Sequence, residues 1–343
     1  MIQKRISFLR IPIRDKIVQD RSDKTRHFLK GRHGAEDSEL AEIYHCGTMC
    51  NRVRETNQEQ PMKALIGILV VLSATSIADA ADWKLVWSDE FDKPGSPDTA
   101  KWNYETGFAF NHEKQYYTVR SENARIENGV LVIEGRKEKY NTSAADPKGR
   151  SNPLTGASKG QTTADYTSAR LTTRGKAAWT YGRIEVRAKL PEARGTWPAI
   201  WTLGTNIDKV GWPTCGEIDI MEFVGLEPGV VHANIHTKKY NHVMKTGKGD
   251  QLSIADCSHK FHVYSAEWDA EKIDFFVDAR KYFTFRNERT GADTWPYDHD
   301  QYLILNLAIG GDWGGQKGID DQSFPQRFEI DYVRVYQKPS AKP

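Results

Sequence analysis

Cysteine is scarce in this chain: Cys46, Cys50, Cys215 and Cys257 are all there is in 343 residues. That excludes a disulfide-stapled scaffold, and no pair of C-x-x-C units suggests a structural zinc site. Charge of one sign is also lacking. The 48 Lys+Arg and 46 Asp+Glu leave a formal net charge of +2, without the basic surplus of a protein whose main task is binding nucleic acid. Long apolar runs are missing: residues 64–72 form a stretch of nine, against the roughly 20 that span a bilayer. No helical face exceeds two turns, no segment repeats, and no linker divides the part after residue 80.

Tryptophan is abundant, and all ten residues lie at or after Trp83. The chain therefore divides into two kinds of sequence. Met62-Lys63 followed by the apolar 64–72 run and by Ala78-Asp79-Ala80 has the order of a secretory signal, with cleavage expected after Ala80. The domain expectation is an N-terminal extension, mis-called or disordered, over 1–61; a signal peptide over 62–80; and one catalytic domain over 81–343, secreted or periplasmic and free of the membrane once cleaved. Residues 81–343 carry 35 Lys+Arg and 36 Asp+Glu, so the slight basic excess belongs to the segment before them. Cys215 and Cys257 are the two cysteines after residue 80. They form either one disulfide or two buried thiols.

The dominant pattern after residue 80 is alternation with period two, which puts one face of a strand on a core and the other in water. Arg183-Ile184-Glu185-Val186-Arg187-Ala188-Lys189-Leu190 alternates without a break. Further β-rich runs cover 84–91, 130–138, 168–173, 230–238, 261–268, 272–277, 302–309 and 328–336. So many short strands in one segment predict an all-β, antiparallel sandwich or barrel. The polar stretch 139–166 reads as one long functional loop or insertion.

Three acids stand within six residues in Glu217-Ile218-Asp219-Ile220-Met221-Glu222, flanked by apolar residues that make it a strand. In a regular strand Glu217 and Asp219 share a face and Glu222 does not. A one-residue bulge at Ile220-Met221 returns Glu222 to that face. Two carboxyls brought to roughly 5–5.5 Å serve a retaining glycosidase, one as nucleophile and the other as proton donor. Asp219, between them, is expected to raise a neighbour's pKa by its charge. An exposed acidic face and a calcium site are the competing readings of the same pattern.

That run, with its extra Met, resembles the catalytic signature of glycoside hydrolase family 16 in the laminarinase branch, the endo-β-1,3-glucanases. Leu85-Val86-Trp87-Ser88-Asp89-Glu90-Phe91, Tyr181-Gly182-Arg183, Trp197-Pro198-Ala199-Ile200-Trp201 and Phe328-Glu329-Ile330-Asp331-Tyr332-Val333-Arg334-Val335-Tyr336 extend the resemblance over most of 81–343. It implies a jelly-roll β-sandwich with a glycan cleft on its concave face. By position it implies Glu217 as nucleophile, Asp219 as assisting carboxylate and Glu222 as general acid/base.

The same resemblance points to Asn111, Arg183, Trp197 and Trp201 as sugar-binding residues. Trp212, beside the acidic strand, and Trp313, in a loop too glycine-rich to bury it, join them, each with core packing as the alternative. His232, Asn234 and His236 share one strand face, and His236 is expected to bond in the cleft. Catalysis needs no cofactor. A structural calcium is implied at Glu90, the Gly129 carbonyl and Asp331, with ordinary salt bridges as the competing role for the two acids. The expected partner is a β-glucan polysaccharide, met by a monomer. The expected activity is endo-hydrolysis of β-1,3-glucan. The alternatives are the same machinery acting on mixed-linkage glucan or galactan, transglycosylation, and a non-catalytic glucan-binding module, against which the presence of both Glu217 and Glu222 argues.

Overall fold

The alternation of 183–190 becomes the strand Gly182–Lys189, in which Ile184, Val186 and Ala188 are buried while Arg183, Glu185, Arg187 and Lys189 are half-buried on the other face. The computed structural model of the chain describes residues 83–145 and 161–339. The extension at 1–61, the signal segment at 62–80, Cys46 and Cys50 lie outside them. Eighteen strands of the described residues fall into two sheets. One has seven strands, in the order Lys248–Ser253, Val230–His236, Glu217–Phe223, Thr196–Gly204, Gln301–Ile309, Arg170–Thr172 and Asn103–Tyr104. The other has eleven and is built around Gly182–Lys189 and Gln326–Gln337. Pairing is antiparallel throughout, except where Gln115–Tyr117 runs parallel to Thr163–Ser168.

The sheets meet across an apolar layer. Ile200, Ile218, Leu303 and Leu305 come from the first, and Ile184, Val186, Phe275 and Val333 from the second. Each fully buried side chain of this size contributes roughly 1.5–3 kcal/mol. On its opposite face the seven-stranded sheet carries a second apolar cluster that includes Ala199, Trp201, Leu203, Cys215, Tyr302 and Ile304, with Phe110 and Trp212 against it. That face holds the acids.

Three expectations change. Val130–Asn141 outruns its predicted end, and Asn141 pairs with Thr163, so both ends of the 139–166 stretch are strand. Its polar residues alternate outward on a strand and so imitate a loop. Cys215 and Cys257 are free and buried. They pack in the two different clusters, one on each face of the seven-stranded sheet, which rules out the disulfide. Arg183 lies in the eleven-stranded sheet, on the face turned from the core, and pairs with Glu185 and Glu267. It is no part of the cleft, because alternation sets a residue's face without saying in which sheet its strand lies.

Candidate active site

The parity problem of the acidic strand is resolved by the expected bulge. Register is lost between Asp219 and Glu222 on one side and between Ile200 and Trp201 on the other. Ile220 and Met221, adjacent in sequence, are both buried in the inter-sheet core. Residues directly opposite in an antiparallel pair share a face. Glu217 stands opposite His236, Asp219 opposite Asn234 and Glu222 opposite His232. On the other flank the same acids face Leu203, Trp201 and Ala199. Gly216, just before the strand, stands at φ +80°, where a Cβ would lie 2.8 Å from Pro296, so glycine is required both by conformation and by space. The Tyr297 hydroxyl, 3.1 Å from the Glu217 carbonyl oxygen and 3.2 Å from that of His236, ties the two strands together at this point.

The two glutamates sit in different surroundings. Glu217 is half-buried; its Oε2 accepts the Trp212 indole N–H at 2.8 Å, and its Oε1 lies 3.5 Å from His236 Nε2. Glu222 is buried; its Oε1 accepts from Trp197 Nε1 at 3.1 Å and its Oε2 from Asn234 Nδ2 at 2.9 Å. Burial pushes the Glu222 pKa up and the Glu217 charge adds to it, against the opposing effects of His236, Asn234 and Trp197. Glu222 is thus suited to hold a proton and Glu217 to attack.

Asp219 is 2% exposed, with Oδ2 3.3 Å from His236 Nε2. Burial, then the charges of Glu217 and Glu222, hold its pKa well above the usual carboxylate range. Among the neighbouring acids it is the charge of Glu217 that raises Glu222. Burial opposes a charge on His236, yet Glu217, Asp219 and Glu222 together raise it to about 10. The imidazolium thus sets a positive charge 3.5 Å from Glu217 Oε1 and 3.3 Å from Asp219 Oδ2.

The tryptophans divide by role. Trp197 and Trp212 serve the two glutamates directly. Trp313 packs edge-on against Trp197 and His232, with ring centres 5.5 and 4.9 Å away, which puts it on the Glu222 side. Trp201 is on the acid face but 7% exposed, beneath Phe110 and the Arg170 guanidinium; it is floor, not wall. Asn111, at φ +58°, accepts the Asp312 N–H on its carbonyl, beside the Trp313 loop. Residues not singled out beforehand also belong here. Asn234 bonds Glu222 and was legible from its strand face. His242, packed on Trp212 and His236, comes from a loop and left no pattern.

Glu217, Asp219 and His236 form the single group of three or more His, Cys, Asp or Glu among the described residues whose ligating atoms lie within 4.8 Å of one another. The implied calcium set has different neighbours. Both Glu90 oxygens accept from Arg334, and Asp331 pairs with Arg187. Gly129 sits at φ +77° in its turn. With an arginine on each acid the donors do not fit a cation as they stand.

An all-β sandwich carrying two carboxyls in contrasting surroundings on one strand face, flanked by indoles, defines an enzyme that cleaves O-glycosidic bonds. Residues 111–334 match the family model "Glycosyl hydrolases family 16". A β-glucanase of Rhodothermus marinus is 48% identical over 80% of this chain and 92% of its own. The structure of the laminarinase from the same organism superposes with a TM-score of 0.67 at 47% identity, covering 75% of this chain and 98% of that one. A glutamate-to-serine variant of SCLam, a non-specific endo-β-1,3(4)-glucanase solved with a gluco-oligosaccharide at its active site, superposes with 0.68 at 49% identity, over 75% and 96%. The chain belongs to glycosyl hydrolases family 16.

Proposed function

We propose that the chain is a secreted, monomeric, endo-acting β-1,3-glucanase that retains anomeric configuration. The observation that carries the mechanism is the contrast between Glu217, half-buried against an imidazolium, and Glu222, buried with a raised pKa. Glu222 gives its proton to the glycosidic oxygen while Glu217 attacks the anomeric carbon. The resulting ester removes the charge of Glu217. That charge is one of the influences raising Glu222, so Glu222 becomes readier to stay ionised and to draw a proton from the incoming water. Water then attacks the ester, releases Glu217 and restores the proton to Glu222. The laminarinase and β-glucanase relatives support the β-1,3 linkage.

The test is reducing-sugar release by residues 81–343 on laminarin, lichenan, xyloglucan and agarose, with product sizes and the anomer first formed read by NMR. Mixed-length oligomers from laminarin, born as the β-anomer, and loss of activity in Glu217→Gln are the expected results. An α-anomer, or a Glu217→Gln protein that kept most of its activity, would overturn the mechanism. The 49% identity to a non-specific β-1,3(4)-glucanase favours a second reading, in which lichenan is cut as well.

A further inference from the structure

Glu113 stands outside the acid strand and has no part in the chemistry above, yet it ends a hydrogen-bond chain that begins at the cleft floor. Trp201 Nε1 donates to Asn306 Oδ1 at 2.7 Å, Asn306 Nδ2 to the Tyr117 hydroxyl at 3.1 Å, and the Tyr117 hydroxyl to Glu113 Oε2 at 3.3 Å. Gln115 Nε2 donates to the same oxygen at 2.6 Å, while its own Oε1 accepts from the backbone N–H of Ile309.

The direction of every link is forced. An indole nitrogen only donates, so Asn306 must turn its oxygen to Trp201 and its amide N–H to Tyr117. Tyr117, having accepted, must pass its own hydrogen onward. Gln115, whose oxygen is taken, can also offer only a donor. Two donors therefore converge on position 113, which has to be an acceptor. Trp201 is the cross-strand partner of Asp219, and Asn306 that of Ala199, so the chain runs along the acid face. Glu113 also lies beside the indole that serves Glu222: a Cβ on Gly311 would come within 3.2 Å of Glu113 Cγ and 3.5 Å of the Trp197 ring.

We propose that Glu113 is a positioning residue, the terminal acceptor of a one-way chain that holds Trp201, and with it the cleft floor beside Asp219, in the orientation that receives the glucan. Without the acceptor, the Tyr117 hydroxyl loses its anchor, the Asn306 amide that bonds it is held from one end alone, and Trp201 is seated less firmly. Burial holds the Glu113 pKa up at about 7, with Gln115, Arg170 and Tyr117 opposing and Asp312 adding. A neutral side chain with a carbonyl oxygen can accept as well, which makes Glu113→Gln the conservative variant.

The inference rests on the glucanase reading, so kcat and KM are taken on whichever of laminarin and lichenan the wild type cleaves. Failure on both polymers would count against the substrate reading. The variants are Glu113→Ala, Glu113→Gln, Tyr117→Phe and the Glu113→Ala/Tyr117→Phe double, with thermal melts of each. Glu113→Ala is expected to raise KM about tenfold with kcat changed far less, the scale of one lost hydrogen bond to a charged group. Glu113→Gln should stay within about twofold of wild type. The double variant should be no worse than the poorer single, since both cut one chain. Should Glu113→Ala fail to fold, Tyr117→Phe severs the chain nearer Trp201 and must reproduce the KM rise. Penalties that multiply in the double variant, a Gln variant as poor as Ala, or a fall in kcat at unchanged KM would each overturn the proposal.

Discussion

Trp212 hands its indole hydrogen to Glu217 across 2.8 Å, and does so at the carboxylate oxygen other than the one nearest His236. With Oε2 held by the indole, Oε1 is the oxygen that faces the imidazole ring. A hydrogen bond to a charged acceptor is worth about 1.5–3 kcal/mol. Trp212→Phe keeps a ring against His236 and His242 but removes the donor. The expected outcome is a kcat lower by about 10- to 100-fold, read from initial rates of reducing-sugar release. An unchanged kcat would mean that the indole packs without orienting.

The pH profile tests Glu222. The descending limb of kcat/KM reports loss of the proton that the general acid must carry. Because burial raises that group, the limb should fall above the ordinary carboxylate range. The Asn234 amide lowers the Glu222 pKa by bonding its ionised form. Asn234→Ala should therefore move the limb to still higher pH, by up to about one unit, the equivalent of roughly 1.4 kcal/mol. A shift toward acid would contradict the assignment of Glu222 as proton donor.

Asp219 links activity to stability. Its folded-state pKa lies well above the unfolded value, so the folded protein holds this proton more tightly than the unfolded chain. The resulting stabilisation is complete below the unfolded pKa and is lost as pH rises toward the folded one. Asp219→Asn imitates the protonated form without that dependence. It should melt higher at pH 7, by about 2–4 °C per kcal/mol gained, and flatten the melting curve against pH, while kcat falls. Calorimetry across pH 4–8 decides it. A lower melting point would place the cost elsewhere.

Free, buried Cys215 and Cys257 predict that a reductant leaves the melting temperature of the 81–343 protein unchanged. Burial also raises both thiol pKa values, that of Cys215 to about 12. A thiol reagent should be consumed slowly by the folded protein and by two equivalents on denaturation. Prompt reaction in the native state would show that one cluster opens.

What could be read from the sequence was what depends on local geometry. Parity along 217–222 located the acids, demanded the bulge and named its two residues. Alternation in 230–236 set His236 and Asn234 on one face, where they turn out to meet Glu217 and Glu222. What could not be read depends on segments far apart in the chain. Arg183 looks like any charged strand residue until its sheet is known. Trp197 and Trp201 lie on the same face four residues apart, and only the covering Phe110 and Arg170 make one a wall and the other a floor. The Glu113 chain joins residues 105 and 189 positions apart, a distance no periodicity spans.

The bulge places Ile220 and Met221 side by side in the core. Deleting Met221 would bring the third glutamate to position 221, and the acids would then alternate regularly on the cleft face with one apolar residue between each pair. A loss of one codon, which elsewhere in a strand turns every later side chain inside out, would here leave the acids on their face and only shorten the distance between nucleophile and proton donor. The active-site strand is thus unusually open to one kind of evolutionary step: its reach along the substrate can change by a single residue without the sheet having to be rebuilt around it.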